Sequence, residues 1–282
     1  MTGLSQKQVD QYREDGFLFP LNAMDAEKAN NYRTRLEALE AKFADRGPRQ
    51  TLSQYFRVNA HIVMPLAMEL AKTPEILDAI ESIIGPDILV WSVEFFIKEA
   101  HTTAYVSWHQ DLHYWGLSDT DEVTAWVALS PATVASGCMR FIPGTHMTDD
   151  APHRDTFSRD NLLSRGQELE VAVDDSTAVD AELQPGQMSL HHGRMFHASY
   201  HNQTNDRRIG VAIRYIKPSM RQSNGTRTMA TLVKGEDTHN HFELTPPPAG
   251  NLVAADLERA LTARKRADEI LFETAAEAGR RT

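Results

Sequence analysis

The chain is expected to fold around a mainly β core flanked by helices, an antiparallel β-sandwich or jelly roll buttressed on one side. Three features predict this. Apolar side chains recur at three- and four-residue spacing over about the first 85 residues. After Gly85-Pro86 short β-branched and aromatic runs take over. From Ala254 the helical spacing returns.

In chain order, the first helical stretches are marked by Val9, Tyr12 and Phe17, by Leu36, Leu39 and Phe43, and by the run over 67–84. Strands are expected over 88–97, 123–129, 139–142, 169–173, 188–192 and 209–216, where β-branched and aromatic residues cluster between turn residues. Residues 145–166 are polar and read as a long surface excursion, a length that usually signals function or mobility. Residues 254–275 read as a charged amphipathic helix packed on the body. No linker divides the sequence, so 1–282 is expected to be one domain: a helical part to about 85, a β core over about 86–220, and a helical extension over about 221–282.

Composition narrows the function. The chain has 29 basic and 39 acidic residues, a formal charge of −10, and no Lys/Arg cluster to track a phosphate backbone or an anionic membrane. Nucleic acid and membrane are therefore not expected as partners, and a small molecule is. The opening MTGLSQKQVDQYREDGFLFP lacks the apolar stretch of a signal peptide, and no later run reaches membrane-span length, so a cytoplasmic location is expected. The single cysteine, Cys138, lies in the strand-like GCMRF and reads as a small structural hydrophobe.

His109 and Asp111 stand two apart, so in a strand they share one face while Gln110 turns away. With a distant histidine they would form a 2-His-1-carboxylate triad, which leaves three coordination positions open for oxygen chemistry. The pair alone is not decisive, because twelve histidines and 39 acids produce such spacing by chance.

The wider context adds to it. WHQDLHYW, TAWVALSP, GCMRFIPGTH and HHGRMFHASYHNQTNDRR, in that order, resemble the phytanoyl-CoA dioxygenase family of 2-oxoglutarate oxygenases, and the resemblance runs from about residue 9 to 216. It implies a double-stranded β-helix of the cupin-like jelly-roll type, with iron(II) held by His109, Asp111 and His197. It further implies that Arg208, eleven residues beyond His197, anchors 2-oxoglutarate, and that Ser199, Trp126 and Lys98 line the cosubstrate pocket. Dioxygen is the remaining cosubstrate, and succinate and carbon dioxide are released. Halogenating relatives replace the carboxylate ligand by a small residue; Asp111 is retained, so the resemblance implies hydroxylation.

Strand alternation is an independent check. Arg208, Gly210, Ala212 and Arg214 share one face, opposite the aliphatic Ile209, Val211 and Ile213, so Arg208 is expected to point inward with room beside Gly210 and Ala212 for a diacid. Trp126 then also faces in. Ser92, Glu94, Phe96 and Lys98 form an inward set opposite Trp91, Val93, Phe95 and Ile97, although Lys98 could equally face solvent. Arg207 should be exposed and dispensable.

Other candidates have two readings each. His113, Tyr114 and Trp115 are pocket rim or core. Arg140, Arg194 and Arg214 are anion receptors or partners of acidic residues, with Arg214 preferred as a substrate contact because alternation puts it inside. His191 and His192 read as strand-end residues or as residues backing the ligands, and His146 as a loop anchor. The substrate expected is a small polar or anionic metabolite. An acyl-CoA or phosphonate hydroxylase of the same family is the alternative, and a zinc-dependent hydrolase or an inactive jelly-roll binding protein are readings of another class.

Overall fold

The structure, a computed structural model, describes residues 3–44 and 59–278, so the part of the predicted helical region over 45–58 lies outside the described residues. Helix α1 (Gln6–Asp15) starts at a capping box, in which the Ser5 hydroxyl accepts from the Gln8 amide and the Gln8 side chain accepts from the Ser5 amide. It stops at Gly16, whose φ of 83° closes the last turn.

Phe17, helical by its spacing from Val9 and Tyr12, lies instead in a strand. Residues Phe17–Asn22 form β1, because Gly16 ends the helix and the Phe-Leu-Phe run pairs with a later strand. Helix α2 (Ala26–Phe43) is capped by Asp25, which accepts from the Lys28 amide, and among the described residues three more helices follow in the N-terminal layer: α3 (Ala60–Val63), α4 (Pro65–Ala71) and α5 (Pro74–Ile84).

The β core contains β2 (Ile88–Lys98), β3 (Val106–His109), β4 (Glu122–Ala128), β5 (Met139–Phe141), β6 (His153–Asp155), β7 (Gln167–Leu169), β8 (Val179–Ala181), β9 (Gln187–His192), β10 (His197–Ser199) and β11 (Arg208–Ile216). Two more strands, β12 (Met229–Lys234) and β13 (Glu243–Leu244), precede helix α6 (Ala254–Ala278). The main sheet runs β1-β9-β4-β11-β2-β12-β13 and the smaller one β3-β10-β5-β8. Strands β1 and β12 lie outside the predicted core of 86–220, so the main sheet draws on both ends of the chain and 221–282 is not purely helical.

Alternation sorts the main sheet into two faces. Val93, Phe95, Val123, Val127, Ile209, Val211 and Ile213 pack with Tyr12, Leu36 and Ile80 of the helices. Phe96, Trp126, Ala128 and Ala212 pack inward against Met139, Phe141 and Ala181 of the smaller sheet. The result is three layers, helices on a seven-stranded sheet on a four-stranded sheet, and the jelly-roll expectation holds.

Two inward-facing details differ from the alternation reading. The β2–β11 register shifts between Arg214 and Tyr215, which pair with Ser92 and Val90, so Trp91 is the extra residue of a bulge. Trp91 therefore joins the inward side, where its ring lies 4.7 Å from that of Trp115. The space beside Gly210 is filled by Trp126: a Cβ at Gly210 would stand 1.8 Å from the indole, so the glycine admits the ring, which leaves no room for a diacid while it stays in place.

The stretch 145–166 is more than a surface excursion. It contains β6, which pairs with β7, and its Asn161 and Arg165 are buried.

Candidate active site

Strand β3 ends at His109, and the chain then turns into a single 3₁₀ turn, Leu112–Tyr114, with Asp111 at its start in a helical conformation. Asp111 thus reaches the His109 side through a turn, where strand alternation predicts the same convergence by another route. Strands β3 and β10 pair with His197 directly opposite His109, and the two rings lie 4.0 Å apart. One ligand atom from each of His109, Asp111 and His197 falls within 4.8 Å of the others, and all three residues are buried.

The histidines are preset to donate lone pairs. Nδ1 of His109 lies 2.9 Å from the Ser107 carbonyl and Nδ1 of His197 lies 2.9 Å from the Met195 carbonyl. A carbonyl only accepts, so in both rings Nδ1 carries a proton and Nε2 is the atom left to face a metal. Burial, then His109, pushes the His197 imidazole down to about 3. Burial acts against the Asp111 carboxylate, yet Arg214 and the two histidines hold it well below the usual range. Two imidazole nitrogens and one carboxylate make the donor set that non-haem iron(II) takes, with positions to spare.

Beyond the triad a narrow inner cavity of about 30 Å³ is lined by Trp126, Ser199 and Arg208. Arg208 is 1 % exposed, and its guanidinium donates to the carbonyls of Gly137 (2.6 Å) and Phe96 (3.3 Å) while its Nε has no partner. Its Cζ lies 5.1 Å from the Trp126 ring centre. Among the described residues no carboxylate pairs with it, and burial draws it down to about 10. Such a cation is costly to bury unless an anion is to join it.

Lys98 stands opposite Arg208 across the β2–β11 pair and is fully buried, which settles its two readings in favour of the inward one. It donates to Ser199 Oγ at 2.7 Å and to the Tyr200 carbonyl. Burial, then Arg208, pushes its amine down to about 5. Asn202 donates to the carbonyls of Lys98, Glu99 and Asp206, tying the turn before Arg208 to the end of β2.

An outer cavity of about 680 Å³ shares Phe96, His109, Asp111 and Arg214 with the inner one. Tyr114, Trp115 and Arg214 line it; His113 does not, stacking instead on His153 at 4.2 Å. Arg207, expected to be exposed, is largely covered, pairing with Glu40 and Glu99 at 2.7 Å each. Arg140 is spent on Asp175 and Asp180, and Arg194 on Asp150. His146 anchors its loop to the Arg13 carbonyl, as expected, and His191 is buried beside His197 on the wall of the inner cavity.

Sequence reasoning missed Trp91, Arg165 and the α6 residues Ala263 and Ala267 as cavity wall. Only Trp91 carried a signal, a large aromatic at an apolar position one residue before the polar pair Ser92 and Glu94.

Residues 12–210 match the family model for phytanoyl-CoA dioxygenase (PhyH). The chain belongs to this family. It is 22% identical over 239 residues to a probable phytanoyl-CoA dioxygenase of Caenorhabditis elegans, covering 75% of each chain. It is 26% identical over 159 residues to a probable alpha-ketoglutarate-dependent hypophosphite dioxygenase of Stutzerimonas stutzeri, covering 56% of this chain and 55% of that one. Among solved structures it resembles the apo form of the non-heme monooxygenase ThoJ, with a TM-score of 0.85, 33% identity, and 96% of this chain and 99% of that one covered. The family member is thus a 2-oxoglutarate-dependent non-haem iron dioxygenase. No helix among the described residues is long and apolar enough to cross a membrane.

Proposed function

We propose that this dioxygenase hydroxylates a small polar or anionic metabolite held in the outer cavity, with His109, Asp111 and His197 binding iron(II) and Arg208 receiving the distal carboxylate of 2-oxoglutarate. Bound there, iron(II) and 2-oxoglutarate would activate dioxygen, which is the oxidant: one oxygen atom would go to succinate as carbon dioxide is lost, and the other to the substrate. The protein supplies position, charge and a dry wall. Ser199 presents its hydroxyl to the diacid, Lys98 holds Ser199 in place from behind, and Trp126 covers the guanidinium until the diacid binds.

The observation that carries this reading is the pairing of a three-ligand cluster with a buried arginine that has no carboxylate, in one continuous space. A zinc hydrolase has no use for the second part, and an inactive binding module has no use for the first. An inner cavity of about 30 Å³ holds about one or two waters, so binding of the five-carbon diacid would lift Trp126 from Arg208.

Of the two substrate types, a polar neutral one suits the outer cavity better. Its cations are already matched: Arg165 by Asp155, Arg214 by Asp111 and Glu94, Arg264 by Asp268. The same matching argues against an acyl-CoA, whose phosphates would need unpaired cations. We further propose that 1–282 acts as one domain, since the main sheet takes strands from both its ends, and that it works in the cytoplasm.

The test is succinate formation by metal-free protein given iron(II), 2-oxoglutarate and oxygen, alongside iron-dependent 2-oxoglutarate binding. Both are expected in the wild type. Asp111→Ala is expected to abolish both, and Arg208→Ala to weaken 2-oxoglutarate binding by about a hundredfold, the scale for losing one partner of a buried charge pair. Absence of both activities from the wild type sinks the reading.

A further inference from the structure

Arg214, expected from alternation to meet substrate, is committed elsewhere. Its Nε and Nη2 each lie 3.4 Å from Asp111 Oδ2, its Nη1 lies 3.0 Å from Glu94 Oε1 and 3.2 Å from Ser92 Oγ, and its Cζ sits 4.9 Å from the Trp115 ring centre. All three nitrogens are engaged on one side of the metal cluster. The other carboxylate oxygen, Asp111 Oδ1, faces the histidines and lies 3.3 Å from His109 Nε2. The two oxygens of Asp111 are thereby given different partners.

We propose that Arg214, braced by Glu94 and Ser92, is a positioning residue that makes Asp111 a one-oxygen ligand and weakens the hold of the site on its dication. The inference rests on the ligand assignment above. Its chemistry is simple. Arg214 ties up Oδ2, so only Oδ1 is offered and the positions that 2-oxoglutarate and dioxygen need stay open. Its fixed positive charge also repels a bound dication at close range in a buried setting, where charges interact strongly.

The fold is built for this. Arg214 lies in the middle of the sheet, opposite Ser92 on β2 and Thr124 on β4, at the point where the β2–β11 register shifts. The shift puts Trp91 on the cavity side, where it stacks on the Trp115 that covers the guanidinium. Glu94 is two residues along the same strand from Ser92, on the same face, so the brace comes from β2 and the ligand from the turn after β3. Bulges next to active sites commonly re-aim side chains in this way.

Charge sign makes the proposal testable without a known substrate, using manganese(II) as the metal probe on the metal-free full chain. Arg214→Met removes the charge and frees Oδ2; it is expected to bind manganese(II) at least about tenfold more tightly than wild type, the scale on which groups behind a ligand act. In the manganese-loaded variant 2-oxoglutarate is expected to bind at least about tenfold more weakly, although Arg208 is untouched. Glu94→Gln keeps the shape and removes a negative charge, so it is expected to shift manganese(II) affinity the opposite way, about threefold weaker. It also serves as the readout if Arg214→Met fails to fold.

A folded Arg214→Met protein with unchanged or weaker manganese(II) affinity, or with wild-type 2-oxoglutarate affinity, overturns the proposal, as does Glu94→Gln that binds more tightly. Asp111→Ala separates the two levels of inference. If it loses manganese(II) binding, the ligand assignment stands whatever Arg214 does; if it binds like wild type, the assignment itself falls.

Discussion

The two ends of the inner cavity are charged in opposite ways. At the metal end Asp111 and Glu94 bracket Arg214, so two acids meet one buried cation. At the far end Arg208 and Lys98 lie side by side with carbonyls and a hydroxyl for company, and no carboxylate among the described residues answers them. The first end has a negative surplus and suits a dication; the second has a positive surplus and suits a diacid. The imbalance at each end is complementary to one half of the cofactor pair, so both ends are poorly satisfied until both arrive.

Stability should expose this difference most strongly. Arg214→Met leaves the buried Asp111 carboxylate and the partly exposed Glu94 without their cation and is expected to destabilise the metal-free protein by about 3 kcal/mol, the usual result of breaking a buried pair. Arg208→Met removes a cation that has no counter-charge. Relief of that burial offsets the two lost carbonyl bonds, so the loss should not exceed about 1 kcal/mol. Urea denaturation without metal or 2-oxoglutarate checks both, and equal losses would break the comparison.

The two ends also differ in how well they can be read from sequence. Arg208 is legible, since its inward direction follows from the aliphatic face of Ile209, Val211 and Ile213, and its distance from His197 matches the family pattern. The convergence of His109 and Asp111 is legible in outcome while the local reason differs, because the strand stops at His109 and a turn brings Asp111 round. The commitments of Arg214 are not legible. Its partner Asp111 is 103 positions away, and one of the 39 acids cannot be singled out before the sheet brings them together. Alternation gives its direction and nothing about its occupancy.

The fold shows the same division. Strands β2, β4 and β11 announce themselves by their β-branched and aromatic runs, but β1 is a short segment directly after a helix, and only its pairing with β9 makes it a strand. Strand β12 lies in a stretch dominated by turn residues and the approach to a helix; it is stabilised by pairing along β2. The α6 contribution to the cavity is hidden because an amphipathic helix does not reveal which surface it covers.

Protonation sharpens the contrast next. Lys98 sits at about 5 in the fold, pushed down by burial and then by Arg208, against 10.5 ordinarily. Between those values the unfolded chain holds a proton that the folded chain does not, so this group makes stability rise with pH, with an upper slope of about 1.4 kcal/mol per pH unit. Glu122, pushed up to about 8 by burial, works in the opposite sense below that pH, and Cys138 does so above its ordinary 9. The clean window is therefore about pH 8 to 9. Unfolding free energy of the wild type should rise across it, Lys98→Met should be flatter, and saturating 2-oxoglutarate with manganese(II) should also flatten the wild-type slope, because the diacid lets Lys98 keep its proton. A slope that is equal in all three would remove Lys98 from the positive end.

The smallest effect concerns neighbouring arginines on opposite faces of β11 and the residue before it. Arg208 points into the sandwich, whereas Arg207 points back to the helical layer, where Glu40 of α2 and Glu99 after β2 accept from it at 2.7 Å each. It is about one-fifth exposed, and its partners are more exposed still, so solvent screens much of the attraction. Pairs of this kind contribute up to about 1 kcal/mol. Arg207→Ala should therefore lower stability by less than about 1 kcal/mol and leave 2-oxoglutarate affinity within about twofold of wild type. The two substitutions test one register from both sides. If Arg207→Ala weakened 2-oxoglutarate binding more than Arg208→Ala, the strand would be turned over, since a one-residue slip exchanges every side chain between the faces, and the positive end would have to be rebuilt around the other arginine.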